Sequence, residues 1–274
     1  MLRKYIALDC LYHVLYLVSL RYDVREDFKI SKKTEHLRID PQPTTLAVVA
    51  YENLRRDIRS GSLLPGQPLR TEWLKAHYET GVSPLREALA RLAAEHYVTA
   101  EGKRGFRVSQ ISEDDFDQLV DLRKDLESRA LKLSIAKGDD DWEAGIVASL
   151  HKMNRTYPPG LIRDPAAEEE RELRHRTFHH ALLKACGSKW QLRFLDHITG
   201  HLERYRRIMT PRSKITELIA NEIEEEHRQL VEHVINRRPK NAVAILNEHR
   251  HRTYSAIKEK FAEERTELAS QGAD

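Results

Sequence analysis

A Ser-Pro pair followed by a leucine-rich helical pattern constrains the fold of this 274-residue chain more than any other feature. Ser83 fits a helix N-cap, and Pro84 fits the first helical position, where its missing N–H is not needed. The apolar residues behind them follow the spacing of a buried helix face: Leu85, Ala88, Leu89, Leu92 and Ala93. The pattern predicts a helix from Pro84 to about His96. Arg86, in its first turn, and Arg91 both point outward.

The segments on either side of this helix predict a helix-turn-helix with a wing. Helices over about 44–61 and 70–78 precede it, separated by a rigid turn that contains Leu64-Pro65-Gly66. After it, residues 97–100 and 105–108 predict two strands around a Gly-Lys-Arg-Gly tip. The second helix of such a motif enters the major groove N-terminus first, and a cationic wing tip can approach a minor groove closely.

Residues 45–110 resemble the winged helix-turn-helix of the GntR family of bacterial transcription regulators. The matching residues are Leu64-Pro65-Gly66, Leu69, Leu74, Ser83-Pro84-Leu85-Arg86-Glu87-Ala88-Leu89, Leu92 and Gly105-Phe106-Arg107-Val108. In that family, the counterparts of Ser83, Arg86 and the wing glycine contact operator DNA. Val82 stands where the family commonly has a base-reading arginine, so the resemblance implies a different reading of that base. The predicted DNA contacts are Ser83, Arg86, Arg91, Gly102, Lys103 and Arg104.

Composition and charge agree with a DNA-binding protein of the cytoplasm. Charged residues make up 32% of the chain and there are only 11 glycines, which favours a mainly helical fold. The two cysteines, Cys10 and Cys186, exclude a disulfide scaffold and fit a reducing cytosol. Residues 44–112 carry a formal charge of +3, whereas the residues after them carry −2. Because this excess is small, we expect a homodimer on a palindromic double-stranded operator.

The first 43 residues form a predicted N-terminal extension without an assigned function. The apolar stretch Tyr5–Leu20 contains Asp9 and His13 and is shorter than the roughly 20 residues of a membrane span. No cleavage site of a signal peptide follows before Arg21, so neither secretion nor a membrane partner is expected. A loosely attached segment, a mis-assigned start codon and a dimer-packing amphipathic segment remain as alternatives.

The C-terminal half predicts six helices and no strand. The predicted helices cover about 113–137, 140–154, 165–186, 188–209, 213–236 and 238–265. The apolar side predicted for the first of them consists of Phe116, Leu119, Leu122, Leu126, Ala130 and Leu133. The predicted fold is therefore mainly α, a winged helix-turn-helix at 44–111 followed by an all-helical antiparallel bundle at 112–267, with room inside for a small ligand.

Ten of the 14 histidines lie at or after His151, and four of them have spacings typical of a shared site. His175 and His179 are four residues apart on one helix and face the same point. His227 and His249 lie on the last two predicted helices, which an antiparallel turn brings opposite each other. Neutral imidazoles suit Zn²⁺, Ni²⁺ or another divalent transition metal. On spacing alone, surface histidines or satisfied core histidines remain the alternative.

Residues 113–265 resemble the FCD ligand-binding domain of the FadR-like subfamily of GntR regulators. The matching residues are Leu122-Arg123 with Glu127, Phe178-His179 with Leu182, and His227 with His249. Many FCD domains bind a divalent metal through one aspartate and three histidines. The resemblance therefore implies the metal ligands His175, His179, His227 and His249, with His175 at the aspartate position, where it keeps a ligand but removes a negative charge.

The same resemblance implies a small carboxylate as the effector, with Arg123 as its bidentate partner. An ion pair between Arg123 and Glu127 is the structural alternative. Together the two resemblances predict a ligand-responsive transcriptional regulator, a repressor rather than an enzyme. The alternative is a metal-dependent hydrolase, for which Glu172, three residues before His175, is the nearest carboxylate. That alternative leaves the winged segment unexplained, and the chain has no nucleophile elbow, P-loop or dinucleotide-binding motif.

Overall fold

The computed structural model of the chain describes residues 45–156, 164–209 and 217–271, and the predicted extension at residues 1–43 lies outside them. Three helices and three short strands form the first part. They are α1 (Leu46–Ser60), β1 (Pro68–Leu69), α2 (Thr71–His77), α3 (Val82–Ala94), β2 (Val98–Ala100) and β3 (Phe106–Val108). Their buried residues include Leu54, Ile58, Leu74, Leu85 and Leu92. The predicted winged helix-turn-helix is thus confirmed.

The wing has one strand more than the sequence predicts. Its order is β1-β3-β2, and both strand pairs are antiparallel. The additional strand pairs Pro68 with Arg107 and Leu69 with Phe106. Proline at the edge of a sheet can turn its donor-free nitrogen away from the neighbouring strand, so a segment that reads as a turn can also pair.

Helix α3 begins at Val82, two residues earlier than predicted, and the prediction of Ser83 as its N-cap is wrong. Gly81 has an extended backbone and is the N-cap, and its carbonyl accepts a hydrogen bond from the amide of Leu85 at 3.4 Å. Ser83 therefore lies inside the first turn, where it is exposed. The sequence did not distinguish the two starts because proline is tolerated throughout the first helical turn, whose N–H groups lack intrahelical partners.

Six further α-helices make up the rest of the described chain, which confirms the predicted all-helical second part. They are α4 (Glu113–Lys137), α5 (Asp140–Asn154), α6 (Pro165–Leu183), α7 (Lys189–Met209), α8 (Glu217–Ile235) and α9 (Pro239–Gln271). One apolar core joins α4 to α9 around Leu131, Ile146 and Phe178. A second core, around Phe116 and Tyr205, lies where α4, α7 and α9 meet.

The buried face of α4 differs from its predicted apolar side. Leu122 is 50% exposed, whereas Arg123 and Glu127 are buried. The hydrophobic pattern predicted Leu122 to be buried, because such a pattern does not detect a buried ion pair. Arg123 and Glu127 form such a pair, and pairing is what allows two charged residues to be buried.

The winged domain packs against α7. The ring of Tyr97 stacks on that of His201 with centroids 4.2 Å apart, and its hydroxyl approaches the backbone of Gly200 so closely that a Cβ there would clash. His201 donates a hydrogen bond from Nε2 to the carbonyl of Glu95 at 2.9 Å, and Arg204 donates one to the carbonyl of Ser109. Helix α7 therefore joins the first domain to the bundle.

Candidate functional site

The exposed surface of α3 and the wing tip carry the residues predicted to contact DNA. Ser83 and Arg86 are exposed in the first helical turn, and Gly102 and Arg104 are exposed in a 3₁₀ turn between β2 and β3. Lys103 lies in the same turn, but its side chain is outside the described part. Gly102 has a φ of +57°, in the left-handed region that favours glycine. The structure thus leaves this surface open to a partner.

Arg91 differs from the other predicted contacts because it already has partners. Its Nε donates a hydrogen bond to Glu95 at 3.3 Å, and its guanidinium lies over the ring of Tyr51 at 3.7 Å. The Tyr51 hydroxyl donates a hydrogen bond to the same glutamate at 2.6 Å. These contacts hold Arg91 at the end of α3 away from its first turn, and its contact with DNA stays a prediction.

The four histidines predicted as metal ligands come together in the interior of the bundle. The ligand nitrogens of His175, His179, His227 and His249 all lie within 4.8 Å of one another. Helix α6 presents the first two with their Nε2 atoms 3.2 Å apart. Helices α8 and α9 present the other two with their Nε2 atoms 3.3 Å apart. The structure thus places the whole predicted set at one point, which we call the His cluster.

All four imidazoles are neutral at pH 7. Burial lowers the pKa of His175 and His179 well below the usual 6.5. Burial also lowers the pKa of His227 to about 2, with help from His249, and that of His249 to about 3, with help from Arg250. A neutral imidazole has a free ring nitrogen, which is the form that binds a transition metal.

Glu226 is a further residue at the His cluster that the sequence did not single out. It accepts a hydrogen bond from Nδ1 of His249 at 2.9 Å, and Arg252 donates one to its other oxygen at 2.7 Å. An acceptor at Nδ1 fixes the proton there and leaves the Nε2 lone pair free, as in carboxylate–histidine–metal sites. Its position directly before His227 is the one hint that the sequence gives, but its hydrogen-bond partner, His249, lies on another helix.

A cavity of about 830 Å³ opens next to the His cluster and is lined by all four histidines. Arg123 lines it too, as predicted for the effector-binding residue, and it also forms the ion pair that was the alternative. Its Nε lies 3.0 Å from Glu127, and Arg250, which the sequence did not single out, lies 2.9 Å from the same carboxylate. One buried carboxylate therefore faces two buried guanidinium groups, which leaves a local positive charge.

Glu172, the carboxylate considered for a hydrolase, is already engaged. It is fully buried and accepts hydrogen bonds from Arg171 and Arg206. Burial alone would raise the pKa of Glu172, but Arg206 and Arg171 hold it well below its usual range. A carboxylate with so low a pKa is a poor general base, because it has little tendency to take up a proton.

Comparisons with known proteins place the chain among bacterial regulators. Residues 46–108 match the family model described as bacterial regulatory proteins, gntR family, and residues 118–252 match the model of the FCD domain. The HTH-type transcriptional repressor GlaR of Escherichia coli (strain K12) is 32% identical over 209 residues, which are 75% of this chain and 93% of GlaR. The uncharacterized HTH-type transcriptional regulator BphR of Paraburkholderia xenovorans (strain LB400) is 34% identical over 216 residues, 78% of this chain and 86% of BphR.

A solved structure agrees with the fold. E. coli McbR/YncC superposes with a TM-score of 0.66 at 16% identity, over 79% of this chain and 99% of that chain. In the described ranges, no helix combines the length and the apolarity needed to cross a bilayer. The similar proteins are regulators, and nothing among them supports the hydrolase alternative.

Proposed function

The chain belongs to the GntR family of transcriptional regulators and carries an FCD domain, and we propose that it is a repressor. Its affinity for DNA changes when a small carboxylate binds with the help of a metal ion. As a dimer, it binds a palindromic operator through α3 and the wing. The effector enters the cavity beside the His cluster and shifts the equilibrium between DNA-competent and DNA-incompetent arrangements. Such a shift requires different affinities of the effector for the two arrangements.

The convergence of four neutral imidazoles carries the metal part of this proposal. Because the Nδ1 proton of His249 points to Glu226, its Nε2 atom carries a lone pair. This atom lies 3.3 Å from Nε2 of His227, a separation that requires a proton or a cation between the two nitrogens. Two nitrogens at about 2.0–2.1 Å from one Zn²⁺ in tetrahedral geometry lie about 3.3 Å apart. The same spacing at His175 and His179 supports Zn²⁺ or Ni²⁺ as the resident ion, which would offer a Lewis-acidic position to a carboxylate.

Two arginines on the cavity wall support an anionic effector. Two arginines, Arg123 and Arg250, share the single carboxylate of Glu127. A divalent ion held by four neutral ligands adds two further positive charges. A carboxylate in this cavity would gain from the charge of the ion and of the two guanidinium groups, although the Nε and Nη2 donors of Arg123 are engaged with Glu127.

An exposed aromatic pair supports the homodimer. Trp190 and Phe194 lie one turn apart on α7, are 67% and 56% exposed, and have ring centroids 6.2 Å apart. Contiguous exposed apolar patches mark interaction sites in soluble proteins. We propose that a second copy of the chain covers them.

Metal titration of the full-length protein tests the proposal. After dialysis against a chelator, wild type should bind one Zn²⁺ or Ni²⁺ per chain, as measured by calorimetry and elemental analysis. His179→Ala should lose more affinity than the roughly 10–100-fold expected for Glu226→Gln, which removes only an outer partner. His151→Ala is the matched control, since His151 is exposed on α5 and does not line the cavity. Equal metal content in wild type, His179→Ala and His227→Ala would rule out the site.

A further inference from the structure

Glu203 is a buried carboxylate that both domains share. It lies on α7, is 5% exposed, and accepts a hydrogen bond from Arg59 at the end of α1 in the winged domain. Arg176 on α6 donates to both of its oxygens, at 3.0 and 2.8 Å. Arg207, one turn further along α7, lies 3.2 Å from it. One side chain thus connects α1, α6 and α7.

The contact on the bundle side belongs to the cavity wall. Arg176 directly follows His175 in the sequence, and Arg176 and Glu203 both line the cavity. Two further ion pairs join α6 to α7 along the same wall, between Glu172 and Arg206 and between Glu169 and Arg207. Anything that enters the cavity with negative charge competes with these glutamates for their arginines.

On the side of the winged domain, Arg59 depends on Glu203 as its ion-pair partner. Arg59 is largely buried, and its Nε has no hydrogen-bond partner in the part of the chain that the structure describes. Burial alone would raise the pKa of Glu203, but Arg59 and Arg176 lower it, so the carboxylate is charged at pH 7. Removing one partner of a buried charge destabilises the remaining ion pairs of the set, because the charge is then less well compensated. The positions of Arg59 and Arg176 are therefore interdependent.

We infer that Glu203 is the positioning residue that couples the winged domain to the His cluster. An occupant of the cluster or cavity that shifts α6, or that takes Arg176 from Glu203, changes how Glu203 holds Arg59 and hence how the winged domain rests on α7. This inference rests on the proposed function, because it describes how that site regulates DNA binding. Reciprocity then requires that a change at Arg59 alters binding at the His cluster, although Arg59 does not line the cavity.

The first test uses the metal-free, full-length protein and amide hydrogen exchange. Arg59→Ala should lose protection in α6 around residues 172–180. The reason is that Glu203, the partner of Arg176, is then no longer held in place by the winged domain. Arg56→Ala is the matched control, since Arg56 lies on the same helix but pairs with its neighbour Asp57. Arg59→Lys keeps the charge and should restore part of the protection. Exchange in α6 that is the same in Arg59→Ala and Arg56→Ala overturns the inference.

The second test measures the affinity of the His cluster for Zn²⁺ alone. Allosteric coupling typically amounts to about 5- to 150-fold in affinity, so Arg59→Ala should change the Kd for Zn²⁺ by at least about 5-fold. The same substitution should have little further effect in a Glu203→Gln background, because the link is already broken. A Kd within about twofold of Arg56→Ala, or full additivity with Glu203→Gln, contradicts the coupling.

The two tests separate this inference from the proposed function. If wild type does not bind Zn²⁺, the metal part of the proposed function fails, while the exchange measurement still decides whether Glu203 links α1 to α6. If wild type binds Zn²⁺ and Arg59→Ala changes neither exchange nor affinity, the metal site stands and the coupling through Glu203 is refuted.

Discussion

Two arginines on α3, both predicted to contact DNA, have different surroundings. Arg91 is paired with Glu95 and covers the ring of Tyr51, so it contributes to the packing of α3 on α1. Arg86 is exposed in the first turn and has no hydrogen-bond or ion-pair partner among the described residues. Because a helix enters the major groove with its first turn, Arg86 has the better position for reading a base.

Arg86→Ala should therefore weaken operator binding by roughly 1–3 kcal/mol and relax specificity at one base. Arg91→Ala should cost less in DNA affinity, because its guanidinium is already engaged. The measurement is fluorescence anisotropy with DNA from the upstream region of its own gene and with random DNA, across a salt series. Arg238→Ala is the control, an exposed arginine at the turn between α8 and α9. Unchanged affinity in Arg86→Ala would show that α3 is not the recognition helix.

The residues of the His cluster show how much of a site can be predicted from a single sequence. The pair His175 and His179 could be predicted because four residues on a helix return to the same face. The meeting of His227 and His249 followed from two antiparallel helices with a short turn. The bond from His249 to Glu226 could not be predicted, because it depends on the rotation of α8 and α9 about their own axes. Periodicity constrains such a rotation only to within about one residue.

At the scale of elements, α7 contacts the cavity on one side and the winged domain on another. One face carries Arg206 toward the cavity, and the other carries Gly200, His201 and Arg204 toward the winged domain. Glu203 lies between these faces and contacts both sides. The sequence predicted the extent of α7, 188–209, almost as observed at Lys189–Met209. It did not predict the second contact, because a glycine in a helix signals a close neighbour without identifying it.

Gly200→Ala should destabilise the docking of the two domains. The added Cβ would meet the hydroxyl at the rigid end of the Tyr97 side chain, which is buried and stacked on His201. Overpacking of this kind typically costs about 1–3 kcal/mol. The free energy of unfolding in urea is the measurement.

Gly145→Ala is the matched control, because Gly145 is also in a helix interior but has open space around its Cβ position. It should gain roughly 0.5–1 kcal/mol from better helix propensity. If Gly200→Ala is as stable as Gly145→Ala, the close approach of Tyr97 to α7 is not part of the folded protein.

For the whole molecule, the junction between the domains contains a histidine that must stay neutral. Burial and the nearby His197 lower the pKa of His201 to about 4, although the hydrogen bond to the carbonyl of Glu95 raises it. The other charged groups close to it are Arg204 and Asp115. The unfolded chain takes up a proton near pH 6.5, whereas the folded chain does so only near pH 4.

The contribution of neutral His201 is complete above about pH 6.5 and is lost as the pH falls toward 4. Between pH 7.5 and 5 this amounts to about 2 kcal/mol of unfolding free energy. His201→Gln should therefore lose less stability over this range than wild type does, as measured by urea unfolding of the metal-free protein at both pH values. His180→Gln serves as the exposed control. An identical pH dependence in wild type and His201→Gln would mean that this ring is not neutral and buried at the junction.

Because one helix serves both domains, the chain is less modular than its two family matches suggest. A chimera that joins this winged domain to the sensor of another regulator would lose the surface formed by Gly200, His201 and Arg204, as well as the glutamate that neutralises Arg59. An engineered sensor that uses this winged domain therefore also needs the residues of α7 that contact it.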